Sequence, residues 1–276
     1  MARPKITVFT KPWTEPIGPL ADKLADLSFD GVELAVRPGY QVEPENVARD
    51  LPGAVRTLEA AGLATPSIAS GYDEATIAAC GEAGVGIIRI CAPIDMGKGY
   101  LASVDAYRRS FDAVLPSLER HNVAIGVQNH YGTHVGSAVG LLHMLQGYDP
   151  RQVCAVLDMA HCAVDGEPVE MAVDIVKDRI NGLVNFKSAF NRRVNGPEED
   201  EAIFRVHWTT HAHGGYSWRA LAEQMKAISF AGAFCMPAEY TPAAGHEGRQ
   251  RMGDDVLPLL RQDVAHLRDL VNDLFD

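Results

Sequence analysis

Eight short runs rich in β-branched and apolar residues, each followed by sequence with helical spacing, constrain the fold of this chain most. They are Lys5–Thr10, Gly31–Val36, Ala64–Ala69, Gly86–Cys91, Val123–Gln128, Val153–Asp158, Gly182–Lys187 and Gly232–Glu239. Several are continuous apolar stretches, as expected of a parallel strand buried on both faces. Between them, Ile17, Leu20, Leu24 and Leu27 form one helical stripe, and Val47, Leu51, Val55 and Leu58 form another. Gly62 stands where the second of these helices would end, and Asn122 does so ahead of the fifth run. This alternation fits either an open doubly wound sheet or a closed barrel. The first run lacks a following GxGxxG turn, and eight strand–helix units in about 250 residues suit a barrel better. No linker, low-complexity tract or charge block marks a boundary. The reading is a single α/β domain over residues 1–276, a (β/α)8 TIM barrel.

Charge excludes some partners. With 36 Asp and Glu against 25 Lys and Arg, the chain carries a formal charge of −11. A protein that grips nucleic acid concentrates cations to displace counterions from the phosphates. Here no basic run exceeds Arg108-Arg109 and Arg192-Arg193, so no nucleic-acid partner is expected. No run approaches the ~20 apolar residues that span a bilayer, so no membrane partner is expected either. No apolar signal core follows Met1-Ala2-Arg3-Pro4, and the cysteines at 80, 91, 154, 162 and 235 form no CxxC pair. Reduced thiols in a cytoplasmic protein are the expectation.

A barrel of this type builds its active site at the C-terminal ends of its strands. There the sequence places Lys11 and Trp13, Glu33, Ser67 and Ser70, Arg89, Gln128-Asn129-His130, Asp158 and His161, Asn185 and Lys187, and Glu239. So many polar groups at buried strand ends cost free energy unless they are paired or hold something. Asp158 also fits a helix cap, Glu33 could pair with Arg89, and Lys187 could bridge to Asp158 or Glu239. The segment Ser188–Tyr216 reads as a long loop, and a loop of that length in a compact domain is usually functional. Within it, Arg192 and Arg193 could meet a substrate oxygen. His211 and His213, in extended backbone, would present both imidazoles on one side and could chelate metal, with His207 nearby. His130 and His134 have HxxxH spacing, but no Glu adjoins His130 and Gly132 intervenes, which argues against a helical zinc site.

The segments Gly126-Val-Gln-Asn-His130, Leu157-Asp-Met-Ala-His161, Val184-Asn-Phe-Lys187 and Pro237-Ala-Glu239 appear in this order. Together with Phe29-Asp-Gly-Val-Glu33 and Gly214-Gly-Tyr-Ser-Trp218, they resemble the xylose isomerase-like TIM-barrel superfamily. The sugar phosphate isomerase/epimerase branch is the nearest in pattern, with inosose dehydratases and ketose 3-epimerases among its members. The resemblance implies one Mg²⁺, Mn²⁺ or Co²⁺ held at Gln128, Asp158, Asn185 and Glu239. At Gln128 and Asn185 the family has Glu and His. Amide oxygens suit hard cations, while the missing imidazole weakens a transition-metal site. It further implies Glu33 near the substrate; with it, His130, His161 and, from the long loop, Arg192 and His213 are read as substrate contacts, and Glu239, His161 and Lys187 as catalytic groups.

An amide at 128 cannot act as a general base, which disfavours a symmetric two-Glu epimerisation. Glu239 remains as the base, with His130, His161 or Lys187 as acids. The expected reaction is isomerisation or epimerisation of a small sugar, polyol or keto-sugar through a proton alpha to its carbonyl. Inosose-type dehydration is one alternative, and a sugar-binding barrel without catalysis is another. The endonuclease branch of the superfamily needs a three-zinc ligand set that this sequence lacks. A homodimer using the seventh loop and the helix ending Leu267–Phe275 is a further expectation.

Overall fold

In the computed structural model, which describes residues 3–242 and 250–276, eight parallel strands close into a barrel. In chain order they are β1 (Lys5–Phe9), β2 (Gly31–Ala35), β3 (Ala64–Ala69), β4 (Ile87–Cys91), β5 (Ala124–Gln128), β6 (Val153–Asp158), β7 (Ile180–Asn185) and β10 (Ala233–Met236). Each strand pairs with the next, and β10 returns to β1 through Lys5↔Ala233 and Val8↔Met236. The helices around it are α1 (Ile17–Asp26), α2 (Val47–Ala60), α3 (Glu74–Ala83), α4 (Tyr100–His121), α5 (Ala138–Leu145), α6 (Met159–Val164), α7 (Val169–Val176), α8 (Trp218–Ala227) and α9 (Leu257–Phe275).

The strands bury both faces, but the two faces differ in chemistry. Val32 and Leu34 of β2, Ile88 and Ile90 of β4, Ile125 and Val127 of β5, and Phe234 and Met236 of β10 pack outward against the helices. The alternate residues point into the barrel, because successive side chains leave a strand on opposite sides. That interior holds Phe9, Ala35, Ile87, Val156, Leu183 and Cys235. In the same phase it receives Glu33, Ser67, Arg89, Gln128, Asp158 and Asn185, all buried. The barrel floor closes tightly. A Cβ on Gly232 would collide with the carbonyl of Gly182, itself at φ +73°.

Helix ends follow local chemistry. Asn122 ends α4 in the left-handed region at φ 53°, as its place in the sequence suggests, and Gly62 lies just beyond α2 at φ 81°. Ser217 caps α8 by accepting from the Ala220 amide.

The structure corrects the sequence reading in three places. First, the segment after β7 is not an open loop: β8 (Ser188–Arg193) and β9 (Phe204–Thr209) pair antiparallel, with Ala189 opposite Trp208 and Asn191 opposite Val206. Second, the last barrel strand stops at Met236. Ala238 lies at φ 53°, and this turn sets Glu239 beyond the ladder. Third, the apolar face of α9 offered above to a dimer packs inside the chain, where Leu267, Leu270, Val271 and Phe275 are buried. Among the described residues no helix is long and apolar enough to cross a membrane. All five cysteines are unpaired.

Candidate active site

The polar interior forms one connected network. At its base Arg89 clasps Glu33, donating from Nε to Oε1 at 2.8 Å and from Nη2 to Oε2 at 2.7 Å. Ser67 also donates to this carboxylate at 3.3 Å, and the Phe9 ring lies 4.6 Å beneath the guanidinium. Glu33 is therefore Arg89's partner within the barrel, one of the two roles open to it.

The third arm of Arg89, Nη1, donates to Gln128 Oε1 at 2.7 Å. This contact settles the orientation of the amide. A guanidinium has no acceptor, so Gln128 must turn its carbonyl toward Arg89 and its NH₂ inward. That NH₂ donates to Asp158 Oδ2 at 2.7 Å. Asn185 Nδ2 donates to the same oxygen at 3.1 Å, from the register partner of Asp158 on β7. The other oxygen of Asp158 caps α6 through the Ala160 amide at 3.2 Å. Asn129 holds the Asp158 backbone, accepting from its amide at 2.8 Å and donating to its carbonyl at 3.0 Å.

Lys187 occupies the centre. Its Nζ lies 3.1 Å from Asp158 Oδ2, 2.8 Å from Glu239 Oε2 and 2.9 Å from His161 Nε2. The Trp208 ring lies 4.5 Å away, close enough for a cation–π contact. Burial works against the ammonium, but the carboxylates of Asp158 and Glu239 outweigh it and raise its proton affinity. Lys187 therefore donates, and His161 receives at Nε2 and carries its own proton on Nδ1. Burial and the Lys187 charge hold His161 well below the usual imidazole range, so the ring is neutral.

Glu239 is gripped from the other side by Lys11, at 2.7 Å, and Lys11 in turn donates to Gln250 Oε1 at 2.6 Å. Burial alone would push the Glu239 carboxyl up, but the two ammonium groups hold it well below the usual range.

Aromatic rings wall the cluster. His161 has His130 at 4.2 Å, Tyr131 stacked at 5.5 Å and Trp208 edge-on at 5.3 Å. Above lies a cleft of about 1060 Å³ lined by Lys11, Tyr131, Asn191, Val206, Trp208 and Gln250, among others. The β8–β9 hairpin forms its roof. Sequence reasoning assigned no role to Trp208 or Tyr131. The alternation Phe204, Val206, Trp208 is a period-two strand signal that points to the first of them.

Two expected substrate contacts are not brought into this cluster. Arg192 is exposed and has the strand parity of Phe190, opposite to that of Ala189, whose register partner is Trp208. His213 is exposed in a 3₁₀ turn, His211–His213, so the extended backbone assumed for the HxH pair is absent. His211 turns away to α9, with Nδ1 2.9 Å from Asp263 and its ring stacked 3.8 Å from that of His266. His130 and His134 sit on a loop with rings 4.5 Å apart, and the HxxxH spacing makes no helical site.

The residues proposed for a divalent cation do not fit one as they are arranged here. A cation needs oxygen lone pairs converging on an open point. The Gln128 carbonyl is taken by Arg89, both amide NH₂ groups are aimed at Asp158, and an ammonium fills the space between Asp158 and Glu239. Asn185 Oδ1 is left buried without a partner. Among the described residues, no three or more His, Cys, Asp or Glu side chains are grouped to hold a metal.

The barrel agrees with comparison to known proteins. The family described as xylose isomerase-like TIM barrel matches residues 21–269, and the chain belongs to that family. Among solved structures, a D-psicose 3-epimerase from Clostridium cellulolyticum H10 superposes with a TM-score of 0.69 at 13% identity, covering 99% of both chains. A 3-keto-D-glucoside 4-epimerase from E. coli gives 0.63 at 16% identity, covering 97% of this chain and all of that one. A probable 3-DHS dehydratase from Bacillus anthracis gives 0.68 at 12%, covering 96% and 98%. Such identities speak to the fold alone. No curated protein sequence matches the chain.

Proposed function

We propose that the chain is an enzyme of carbohydrate chemistry that removes a proton alpha to the carbonyl of a small sugar, keto-sugar or oxidised polyol. Isomerisation or epimerisation is the favoured outcome, and dehydration of a keto-sugar is the alternative. The observation that carries the reading is the buried Asp158–Lys187–Glu239 cluster, with His161, at the C-terminal mouth of the barrel beneath an aromatic-walled cleft. The epimerases and the dehydratase among the structural neighbours support it.

Glu239 is the base. Its side chain keeps 13% exposure, whereas Asp158 has none and Glu33 has 1%. In the free protein its basicity is suppressed, because Lys187 and Lys11 both hold it. A carbonyl oxygen that takes over the Lys187 N–H now given to Glu239 has two effects at once. It is polarised by the ammonium, and it releases Glu239 toward normal basicity. The C–H proton then passes to Glu239 while the electron pair moves onto the carbonyl oxygen, where the charge is held by Lys187. Return of the proton to the neighbouring carbon, with the alpha-hydroxyl proton passing to the former carbonyl oxygen, gives an isomer. Protonation of the original carbon from the opposite face by a second donor gives an epimer, and Glu239 then keeps the abstracted proton until solvent takes it. His161, neutral and in contact with Lys187, orients the ammonium.

The test is substrate-dependent incorporation of deuterium from D₂O into a panel of aldoses, ketoses, inososes and polyols, followed by mass spectrometry. One substrate should gain a carbon-bound deuterium, and Glu239→Gln should abolish the gain. No incorporation across the panel, with or without Mn²⁺, overturns the reading. A second reading, a sugar-binding barrel without turnover, draws on the double lysine clamp that weakens Glu239. It predicts ligand-induced stabilisation with no exchange.

A further inference from the structure

The network places a positive charge where relatives of this fold are expected to hold a metal, and it belongs to the chain. We propose that the Lys187 ammonium is the resident cation of this site, performing the charge-neutralising and oxygen-holding roles of a divalent ion, so that the protein neither needs nor takes up such an ion there. The oxygen-holding half rests on the function proposed above, while the charge-neutralising half stands on geometry alone.

Three observations carry it. The first is position. Nζ of Lys187 touches both carboxylates expected as ligands, Asp158 at 3.1 Å and Glu239 at 2.8 Å, and it is enclosed with 5% side-chain exposure. The second is the orientation of the amides. Arg89 takes the Gln128 carbonyl at 2.7 Å and so fixes the amide with its donors inward. Gln128 and Asn185 then bond the carboxylate that a metal would need, at 2.7 and 3.1 Å. These two positions stabilise Asp158 as a hydrogen-bonded anion. They are not ligands themselves. The third is charge. Asp158 and Glu239 are formally matched by Lys187 and Lys11, leaving no surplus negative charge to attract a dication. Burying an ion pair is tolerable only when its lone pairs and protons are all used. Lys187 meets that condition, with His161 taking the third N–H at 2.9 Å.

Substitution at 128 and 185 and the central lysine thus become one device. With a carboxylate at 128, three anions would face the two ammonium groups of Lys187 and Lys11, and the unmatched negative charge would call for a metal. With an amide there, the lysine suffices.

The experiment has two arms that need no turnover. Wild-type protein dialysed against EDTA is titrated calorimetrically with Mn²⁺, Mg²⁺ and Co²⁺, and its Tm is read with each. The expected result is no stoichiometric uptake and an unchanged Tm. Binding of one Mn²⁺ or Co²⁺ per chain at micromolar affinity, lost in Asp158→Asn, overturns the proposal. The second arm is a double-mutant cycle between Lys187→Met and Asp158→Asn. Lys187→Met alone should lower Tm by about 5–10 °C, because it leaves buried carboxylates uncompensated. Adding Asp158→Asn should restore part of that loss. Additive losses would mean that Lys187 merely fills space, and would overturn the proposal. Failure of the deuterium-exchange assay bears on the proposed reaction and leaves both arms to be judged separately.

Discussion

At the scale of single residues, Arg89 has consequences out of proportion to its distance from the cleft. It neutralises Glu33, and through one further N–H it decides which face Gln128 shows to Asp158. Arg89→Met should therefore destabilise the fold by about 3–5 kcal/mol, since it strands a buried carboxylate. Urea denaturation of the variant measures this. If Glu33→Gln is added, much of the loss should return. Among the candidate residues, those on strands were legible from sequence because strand phase fixes direction: Glu33, Gln128, Asp158 and Asn185 all point inward as their positions imply. His161 and Lys187, one turn or two residues past a strand end, were legible as residues of the barrel mouth, and bridging of Lys187 to Asp158 or Glu239 was among the alternatives. Arg192 and His213 were not, because nothing in a polar stretch of sequence states which side of a hairpin or turn a side chain takes.

At the scale of elements, the β8–β9 hairpin is the feature that sequence periodicity obscured. Its strands, Ser188–Arg193 and Phe204–Thr209, carry Arg192 and His207 on the face away from Trp208 and the polar Asn191 toward the cleft, and their composition reads as loop. Only Phe204, Val206 and Trp208 preserve an apolar alternation. The hairpin brings Trp208 over Lys187, so Trp208→Ala should remove both a stacking wall and the cation–π contact. The expected effect is about a tenfold weakening of sugar binding, read by calorimetry, with the fold retained. The hairpin ladder is two-stranded and separate from the barrel, so its amides should exchange with D₂O well before those of β5 and β6. At the barrel floor the reverse holds. Gly232→Ala should cost about 1–3 kcal/mol in denaturation experiments, because a Cβ there meets the Gly182 carbonyl.

At the scale of the whole molecule, the alternation of runs and stripes fitted two architectures, and the count of eight units with no GxGxxG turn after the first pointed to the closed barrel that forms, in which each strand buries its outer face against helices. What it left open was the interior, where polar residues find partners from strands far apart in sequence. Arg89 and Glu33 are an example. Stability against pH is another property of the whole. Burial lowers the proton affinity of His134, His207 and His266. Below their unfolded pKa of about 6.5, the unfolded chain binds more protons than the folded one. Stability should therefore be complete above pH 7 and fall as pH drops through 6.5 toward 5. Denaturation midpoints at pH 7.5, 6.5 and 5.5 measure this, and His266→Gln should flatten the slope. A midpoint that rises on acidification would contradict it.

The chain of contacts across the barrel also has a bearing on what the cleft will admit. From Glu33 through Arg89, Gln128, Asp158, Lys187 and Glu239 to Lys11, anions and cations alternate, three of each, around one neutral amide. Such a row behaves like a short filament of salt crystal. Its field cancels over a few ångströms, and a visitor feels dipoles rather than a net potential. A phosphorylated or carboxylated sugar would add an unmatched charge to a row already in balance. An uncharged polyhydroxy compound exchanges one hydrogen bond for another and leaves the sum at zero.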